Sequence, residues 1–240
     1  MPDERLTTLL RSMGRQDWLT PAMEEFFIAR IPETWWSPNP LVHPSGAVGE
    51  CDRDLELALL GHKTAVDARL SRIFDVGKAM HVRWQAYFRE RGLMVLEEEP
   101  IESRNDILAI KGRLDCVLKA PQAIKEELHL IELKSMNSGR FRRLPEPKSP
   151  KENLYAVARQ HGRYIGQWLC YVRAFDEQQR AKGKPGMQNG AIIFENKDDQ
   201  NYKTFLLTYD EELWLKLTVN ARIAQQAFLE GKLVSRPTCG

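Results

Sequence analysis

The 240-residue chain has no long hydrophobic run and almost no excess of charge of one sign. No segment approaches the roughly 18 apolar residues of a membrane-spanning helix, and the N-terminal MPDERLTTLL lacks the apolar core of a signal peptide. The net charge is only +2, so a nucleic-acid partner would have to meet a local basic patch. With 42% hydrophobic and 28% charged residues, we expect a folded, soluble, cytoplasmic protein with no membrane partner.

Cysteine is scarce and dispersed. The four cysteines are far apart and form no C-x-x-C pair: Cys51, Cys116, Cys170 and Cys239. In a chain without a secretory signal this spacing predicts four reduced thiols rather than a disulfide framework. The chain also lacks internal repeats and the G-x-G-x-x-G of dinucleotide-binding proteins.

Hydrophobic periodicity and turn residues predict a mixed α/β (α+β) fold. We expect helices in residues 1–31, a Pro-rich loop to residue 49, helices over 51–60 and 65–91, and strands over 93–99, 106–119 and 128–134. Ser149-Pro150, with Glu152 three residues after the serine, predicts the start of a helix of about 30 residues. Strands GAIIFEN and KTFLLTY and a helix over 210–230 complete the order. This order is not that of a doubly wound fold.

Two carboxylates and a lysine are the central chemical feature. If 106–119 and 128–134 are neighbouring strands, Asp115 and Glu132 can project from the same sheet face, and Lys134 shares the face of Glu132. Oxygen ligands of this kind suit Mg²⁺, and a lysine beside them can orient or deprotonate an attacking water. An ordinary surface salt bridge is the alternative, but Glu132 lies within an apolar run where a purely structural charge would be costly.

Two helices carry further candidates. Gly77 and His81 lie one turn apart on the predicted helix 65–91, so a ligand could approach beside the histidine, although a lone helical histidine also occurs as a core residue. On the long helix a polar stripe within about 60° of arc offers hydrogen bonds to a phosphate or a buried carboxylate, or forms a polar seam against another element. Its members are Gln160, Tyr164, Gln167 and Tyr171.

A basic segment, residues 140–151, directly follows the strand that carries Lys134. Its five cations and one acid give a charge of +4: Arg140, Arg142, Arg143, Lys148 and Lys151 against Glu146. Such a segment can neutralise DNA phosphates without reading sequence. The alternative is a solvated, mobile loop.

In this order, the motifs G-x-x-x-H, G-x-x-D, E-x-K and Q-x-x-x-Y resemble those of the PD-(D/E)XK nuclease superfamily, in particular its RecB-like branch. That branch includes CRISPR-adaptation nucleases and phage recombination exonucleases. The residues that carry the resemblance are Gly77 and His81, Gly112 and Asp115, Glu132-Leu133-Lys134, and Gln167 and Tyr171. The resemblance extends over about residues 44–230. It implies a nuclease domain at 44–240, preceded by an N-terminal helical extension and Pro-rich loop at 1–43.

The resemblance also implies roles for these residues. Asp115, Glu132 and the carbonyl of Leu133 would hold Mg²⁺ or Mn²⁺, with His81 as an added ligand or a site-shaping group and Lys134 as the catalytic lysine. Gln167 and Tyr171 would support the site and the DNA backbone. The pair Gln160 and Tyr164 repeats the same spacing, so the assignment could slip by two helical turns; the later pair is preferred.

The activity implied is metal-dependent hydrolysis of DNA, as an exonuclease in phage or bacterial recombination or repair. A catalytically silent DNA-binding or assembly module and an endonuclease are the alternatives. A homo-oligomer or a recombination partner protein is left open. Iron–sulfur members of the branch have one early cysteine and three near the C-terminus, whereas only Cys239 lies there in this chain, so we expect no cluster.

Overall fold

The computed structural model describes residues 19–29, 38–48, 52–62, 67–105, 107–121 and 127–232. In this part of the chain the helices are α1 (Leu19–Ala29), α2 (Pro44–Ala47), α3 (Asp52–Leu59), α4 (Ala68–Glu90), α5 (Ser138–Phe141), α6 (Pro150–Ala181), α7 (Glu211–Leu217) and α8 (Val219–Leu229). The strands are β1 (Met94–Glu97), β2 (Pro100–Ser103), β3 (Ile110–Arg113), β4 (Cys116–Lys119), β5 (Leu128–Met136), β6 (Asn189–Asn196) and β7 (Tyr202–Thr208).

A five-stranded mixed sheet forms the centre of the fold, with the order β1-β4-β5-β6-β7. The β5–β6 pair is parallel, and the other pairs are antiparallel. A parallel pair needs a long crossover, which α5 and α6 supply between β5 and β6. Strands β2 and β3 form a separate two-stranded sheet. The predicted mixed α+β fold, with a central mixed sheet flanked by helices, is confirmed.

Helices cover both faces of β5, which explains why its sequence is apolar almost throughout. On one face Leu130 packs in the core with α6, and the indole Nε1 of Trp168 donates to the Leu130 carbonyl at 3.1 Å. On the other face Ile131 and Leu133 pack with Met80 of α4. Each such fully buried side chain contributes about 1.5–3 kcal/mol through its removal from water. Because side chains alternate along a strand, successive residues of β5 pack against α6 on one face and α4 on the other.

The predicted strand 106–119 is two strands, and β2 was not predicted. Together, β1–β2 and β3–β4 form one antiparallel ribbon that bends between the pairs Glu97–Cys116 and Pro100–Arg113. The hydrogen bonds from Glu98 N to Asp115 O (3.2 Å) and from Leu114 N to Glu99 O (2.9 Å) cross the bend. The ribbon thus leaves the central sheet at Glu98 and Asp115.

The helix predictions differ from the structure in detail. The predicted capping box is confirmed, because the Glu152 carboxylate accepts from Ser149 N (3.4 Å) and Oγ (2.5 Å) at the start of α6. Helix α6 has a kink at His161, where φ is −139° and ψ is 48°. The predicted helix 210–230 is two helices, α7 and α8, separated at Thr218, whose hydroxyl donates back to the Trp214 carbonyl at 2.8 Å.

Two predicted loops contain short helices. The Pro-rich stretch includes α2, and the basic stretch after β5 includes α5. Part of the N-terminal extension is α1, which packs on α4, with the Ser71 hydroxyl donating to the Phe27 carbonyl at 3.2 Å. Within the described residues no helix is long and apolar enough to cross a membrane.

Candidate active site

The bend of the β1–β4 ribbon places two acids beside the middle of β5. Asp115 immediately precedes β4, whose first pair with β5 joins Cys116 to Ile131. Glu98 lies opposite in the bend, with a left-handed backbone (φ 48°) that only a minority of non-glycine residues adopt. The bend therefore turns the carboxylates of Glu98 and Asp115 toward the same point.

Where the β4 pairing stops, side chains contact the backbone of β5. The amide of Leu133 donates to Asp115 Oδ2 at 2.7 Å, and His81 Nε2 on α4 lies 3.2 Å from the Leu133 carbonyl oxygen. These two contacts bring His81 and Asp115 to the backbone of the same residue, Leu133. The predicted juxtaposition of Asp115, Leu133 and His81 is thus present in the structure.

Three ligand-type atoms converge at this position. His81 Nδ1 lies 3.5 Å from Asp115 Oδ1 and 3.8 Å from Glu98 Oε1, and the potential ligand atoms of the three residues all lie within 4.8 Å of one another. If Nε2 donates to Leu133, the neutral ring presents the Nδ1 lone pair to two carboxylates, and either a proton on Nδ1 or a bound cation would satisfy these acceptors.

The pKa shifts of the cluster also indicate that positive charge would stabilise it. Burial opposes protonation of His81, but the bond to Glu98 and the charge of Asp115 prevail and raise its pKa. Burial raises the pKa of Asp115, with the charges of His81 and Lys134 acting against it. In the protein alone, protonation of His81 would supply some of the charge that a divalent cation would supply.

Glu132 is not one of the three converging residues, but its charge acts on His81 and Asp115 from the α6 face of β5. Its carboxylate is fully buried, and Oε1 accepts from Lys134 Nζ at 2.5 Å and from Gln167 Nε2 at 2.7 Å. In the described part of the chain, Oε2 has no hydrogen-bond partner. Burial, with the nearby Asp115 charge, raises the pKa of Glu132 to about 7. A buried carboxylate oxygen without a partner is costly, so these residues fit a bound divalent cation.

Lys134 is held as an ammonium. Burial would lower its pKa, but the charges of Glu132 and Asp115 outweigh burial, so its pKa is raised. The Tyr164 ring lies 5.5 Å from Nζ, which is within reach of a cation–π contact. Lys134 is therefore placed to donate hydrogen bonds at the site.

The polar stripe of α6 descends from the surface into the site. Gln160 is exposed, Tyr164 is half-buried, and Gln167 is buried and bonded to Glu132. Tyr171 is only 1% exposed and hydrogen-bonds to the Gln167 side chain, so it braces the site from beneath. A Cβ at Gly112 would lie 2.6 Å from the Tyr171 hydroxyl, which explains the glycine opposite this ring.

The other predicted groups lie around the rim. Arg140, Arg142 and Arg143 are exposed on and just after α5, whereas Phe141 and Leu144 of the same segment are buried in the core. Burial, with the charges of Arg140 and Arg143, lowers the pKa of His161, so these arginines lie near the kink of α6. Gly77 is half-buried on α4, and a Cβ there would meet no atom within 4 Å.

Two residues of the site were not predicted. Glu98 is one of three consecutive glutamates, 97–99, and no periodicity separates it from its neighbours. Gln85 donates to Glu98 Oε1 at 3.0 Å and to the Asp115 carbonyl at 3.2 Å, so it holds the bend closed. Gln85 lies four residues after His81, and this spacing on one helix face was the signal available in the sequence.

The two described cysteines lie apart from each other. Cys116 is buried with α4 residues on one face of the sheet, and Cys170 is buried among the α6 core residues on the other. Burial raises the pKa of Cys170 to about 12 and that of Cys116 further. Both are therefore protonated thiols. Cys51 and Cys239, which bear on the iron–sulfur expectation, lie outside the described residues.

No protein-family model and no curated protein matches the chain. Among solved structures, the chain is similar to the crystal structure of SSO0001, with a TM-score of 0.50, 14% identity, and 88% of each chain covered. It also matches LHK-Exo in complex with dAMP (TM-score 0.47, 16% identity, 83% of this chain and 93% of that one). The alkaline exonuclease LHK-Exo from Laribacter hongkongensis gives a TM-score of 0.42 at 16% identity, with 86% and 93% covered. The similarity to SSO0001 supports the mixed α+β fold alone.

Proposed function

We propose that the protein is a metal-dependent deoxyribonuclease of the PD-(D/E)XK superfamily. The observation that carries the proposal is the convergence of His81, Glu98 and Asp115 beside a buried Glu132 whose Oε2 has no partner among the described residues. An acidic cluster of this kind is unfavourable in a fold unless a cation occupies it. Lys134, next to the cluster, supplies the additional group that phosphodiester hydrolysis needs.

The proposed division of labour follows from the contacts. Asp115, His81, Glu98 and the free oxygen of Glu132 would hold Mg²⁺ or Mn²⁺, with the Leu133 carbonyl as a further oxygen. The chemistry that such a cation supplies is polarisation of the phosphate and activation of water. Lys134 donates from Nζ to the reacting phosphate or to the attacking water.

Two buried side chains keep the acceptors oriented. Gln167 fixes Glu132 Oε1 through its 2.7 Å hydrogen bond, which leaves Oε2 for the cation. Gln85 fixes Glu98 and the Asp115 carbonyl in the same way on the α4 side. The ligand geometry is thus imposed by neutral amides that add no charge to the cluster.

DNA is the proposed substrate because exposed arginines adjoin the site. Arg140 and Arg143 form no ion pair within the described residues, so their charge is available to phosphates, and contacts of this kind read backbone rather than sequence. Exonuclease action, the RecB-like branch, and a role in phage or bacterial recombination or repair rest on the resemblance of the four motifs.

One assay tests the proposal. End-labelled linear DNA and closed circular DNA are each incubated with Mg²⁺, Mn²⁺ or EDTA. Stepwise loss of label from linear DNA alone, abolished by EDTA, supports the exonuclease. Cleavage of the circle points to the endonuclease, and binding without cleavage points to the silent DNA-binding module.

Two variants tie the activity to the site. Asp115→Asn keeps an acceptor for the Leu133 amide but removes a charged ligand, and we expect it to abolish cleavage. Glu127→Gln is the matched control, because Glu127 is exposed and precedes the opposite end of β5. Full activity of Asp115→Asn would contradict the proposal.

A further inference from the structure

The turn between β6 and β7 contacts the start of the basic segment. The parallel pairing of β5 with β6 ends at Met136 and Asn196, and Lys197 N then donates to the Met136 carbonyl at 2.9 Å. The residues after Lys197 therefore lie beside the residues that follow β5 in the chain. Asp198 and Ser138 meet at this point.

Asp198 makes a double contact with the first residue of α5. Its Oδ2 accepts from the Ser138 amide at 2.8 Å and from the Ser138 hydroxyl at 2.5 Å. The same hydroxyl lies 3.2 Å from Oδ1 of the buried Asn196, which also accepts from the Asp198 amide at 3.2 Å. The bonds from Ser138 lower the pKa of Asp198, so the carboxylate is ionised at neutral pH. Hydrogen bonds to an ionised acceptor are stronger than those between neutral groups.

The anchored residue is the first residue of the helix that carries the arginines. Ser138 begins α5, its carbonyl accepts from the Arg142 side chain at 3.4 Å, and Arg140 and Arg143 follow within one and a half turns. Phe141 and Leu144 fix the buried side of the same segment. Without a contact at Ser138, the orientation of the exposed face would depend on these two apolar side chains and, further along the segment, on the contacts of Lys203 with Leu144 and Glu146.

We propose that Asp198 is a positioning residue, which fixes α5 through Ser138 so that the arginines of the basic segment face the DNA backbone. This inference rests on the proposed nuclease function. An acid so close to a phosphate-binding surface opposes DNA binding by its charge, so its contribution must come through geometry. Charge and geometry are therefore separable by mutation.

Three variants of this turn separate the effect of charge from the effect of geometry. Asp198→Ala removes charge and contact, whereas Asp198→Asn removes charge but keeps an oxygen that can accept from Ser138. Asp199→Ala is the matched control, because Asp199 lies in the same turn and accepts from the Asn201 amide rather than from Ser138. Relative to Asp199→Ala, we expect Asp198→Ala to raise KM for DNA about fivefold with kcat within about twofold. Asp198→Asn should not raise KM.

A second readout needs no DNA. Limited trypsin digestion followed by mass spectrometry reports how firmly the arginines of α5 are held. Cleavage after Arg140 should be faster in Asp198→Ala than in Asp199→Ala or Asp198→Asn. If Asp198→Ala does not fold, Ser138→Ala removes the hydroxyl part of the same contact and should raise KM by a smaller factor.

The possible failures are distinguishable. Equal KM and equal trypsin cleavage in Asp198→Ala and Asp199→Ala, with an active wild type, would overturn this inference and leave the nuclease proposal standing. A wild-type protein that neither binds nor cleaves DNA would overturn the nuclease proposal and the inference that rests on it.

Discussion

The charge on Glu132 should make the metal-free protein less stable as the pH rises. Glu132 is fully buried, and burial together with the Asp115 charge raises its pKa from the ordinary 4.5 to about 7. A raised folded-state pKa in an acid means that the folded protein binds its proton more tightly than the unfolded chain does. The stabilisation that the protonated Glu132 gives the folded protein is therefore fully present below pH 4.5 and is lost as the pH rises through about 7.

The magnitude follows from the difference between the two pKa values. Each pKa unit corresponds to about 1.4 kcal/mol, so between about pH 5 and about pH 8 the free energy of unfolding should fall by roughly 2–3 kcal/mol. The raised pKa values of His81 and Asp115 act with the same sign. Glu132→Gln should remove most of this slope, because the amide keeps the shape of the side chain and carries no proton to lose.

Urea denaturation in EDTA at both pH values measures the effect. Repeating it with saturating Mg²⁺ should abolish the fall, because a cation that binds only the folded state stabilises it, by about 2.7 kcal/mol at a hundredfold excess over Kd. A free energy of unfolding in EDTA that is the same or higher at the upper pH would refute the reasoning. An unchanged slope in Glu132→Gln would refute it as well.

Three further predictions concern other parts of the site. Gly112→Ala should lower the free energy of unfolding by about 1–3 kcal/mol, because the new methyl group collides with Tyr171. Gly77→Ala, where the methyl group meets no atom, should raise the free energy of unfolding by about 0.5–1 kcal/mol. Urea denaturation compares the two variants. Lys134→Ala should lower turnover about 10²-fold or more in a cleavage assay, while calorimetry shows Mn²⁺ binding retained. Replacing the three exposed arginines with alanine should reduce the salt slope of DNA binding by about 0.7–0.9 per lost phosphate contact, and an unchanged slope with unchanged affinity would show that DNA enters elsewhere. These arginines are Arg140, Arg142 and Arg143.

The parts of the site that the sequence predicted depend on regular periodicity. Asp115 and Glu132 could be placed on neighbouring strands because Asp115 lies in an alternating run and Glu132 in an apolar run. The structure agrees, since β4 pairs with β5. The approach of Gln167 to Glu132 follows from helical spacing on α6. The start of α6 was predictable because the Ser149–Glu152 capping box is a local interaction.

The parts that were missed depend on tertiary contacts. Glu98 reaches the site only because the ribbon bends there, and the bend is fixed by hydrogen bonds to residues more than ten positions away. The anchoring of α5 depends on Asp198, sixty residues further along the chain. Such contacts leave no pattern within a local sequence window.

The proposed divalent-cation site consists of His81, Glu98 and Asp115 and lies next to Glu132 and Lys134. Anomalous diffraction from crystals soaked in Mn²⁺ tests it most directly. We predict a peak about 2–2.6 Å from a carboxylate oxygen of Asp115. Its shell should also contain His81 Nδ1, a carboxylate oxygen of Glu98, Glu132 Oε2 and the Leu133 carbonyl oxygen, and no peak should occur there in Asp115→Asn crystals. Saturating Mn²⁺ that gives no peak at this position, or one bound only to surface acids, would contradict the account.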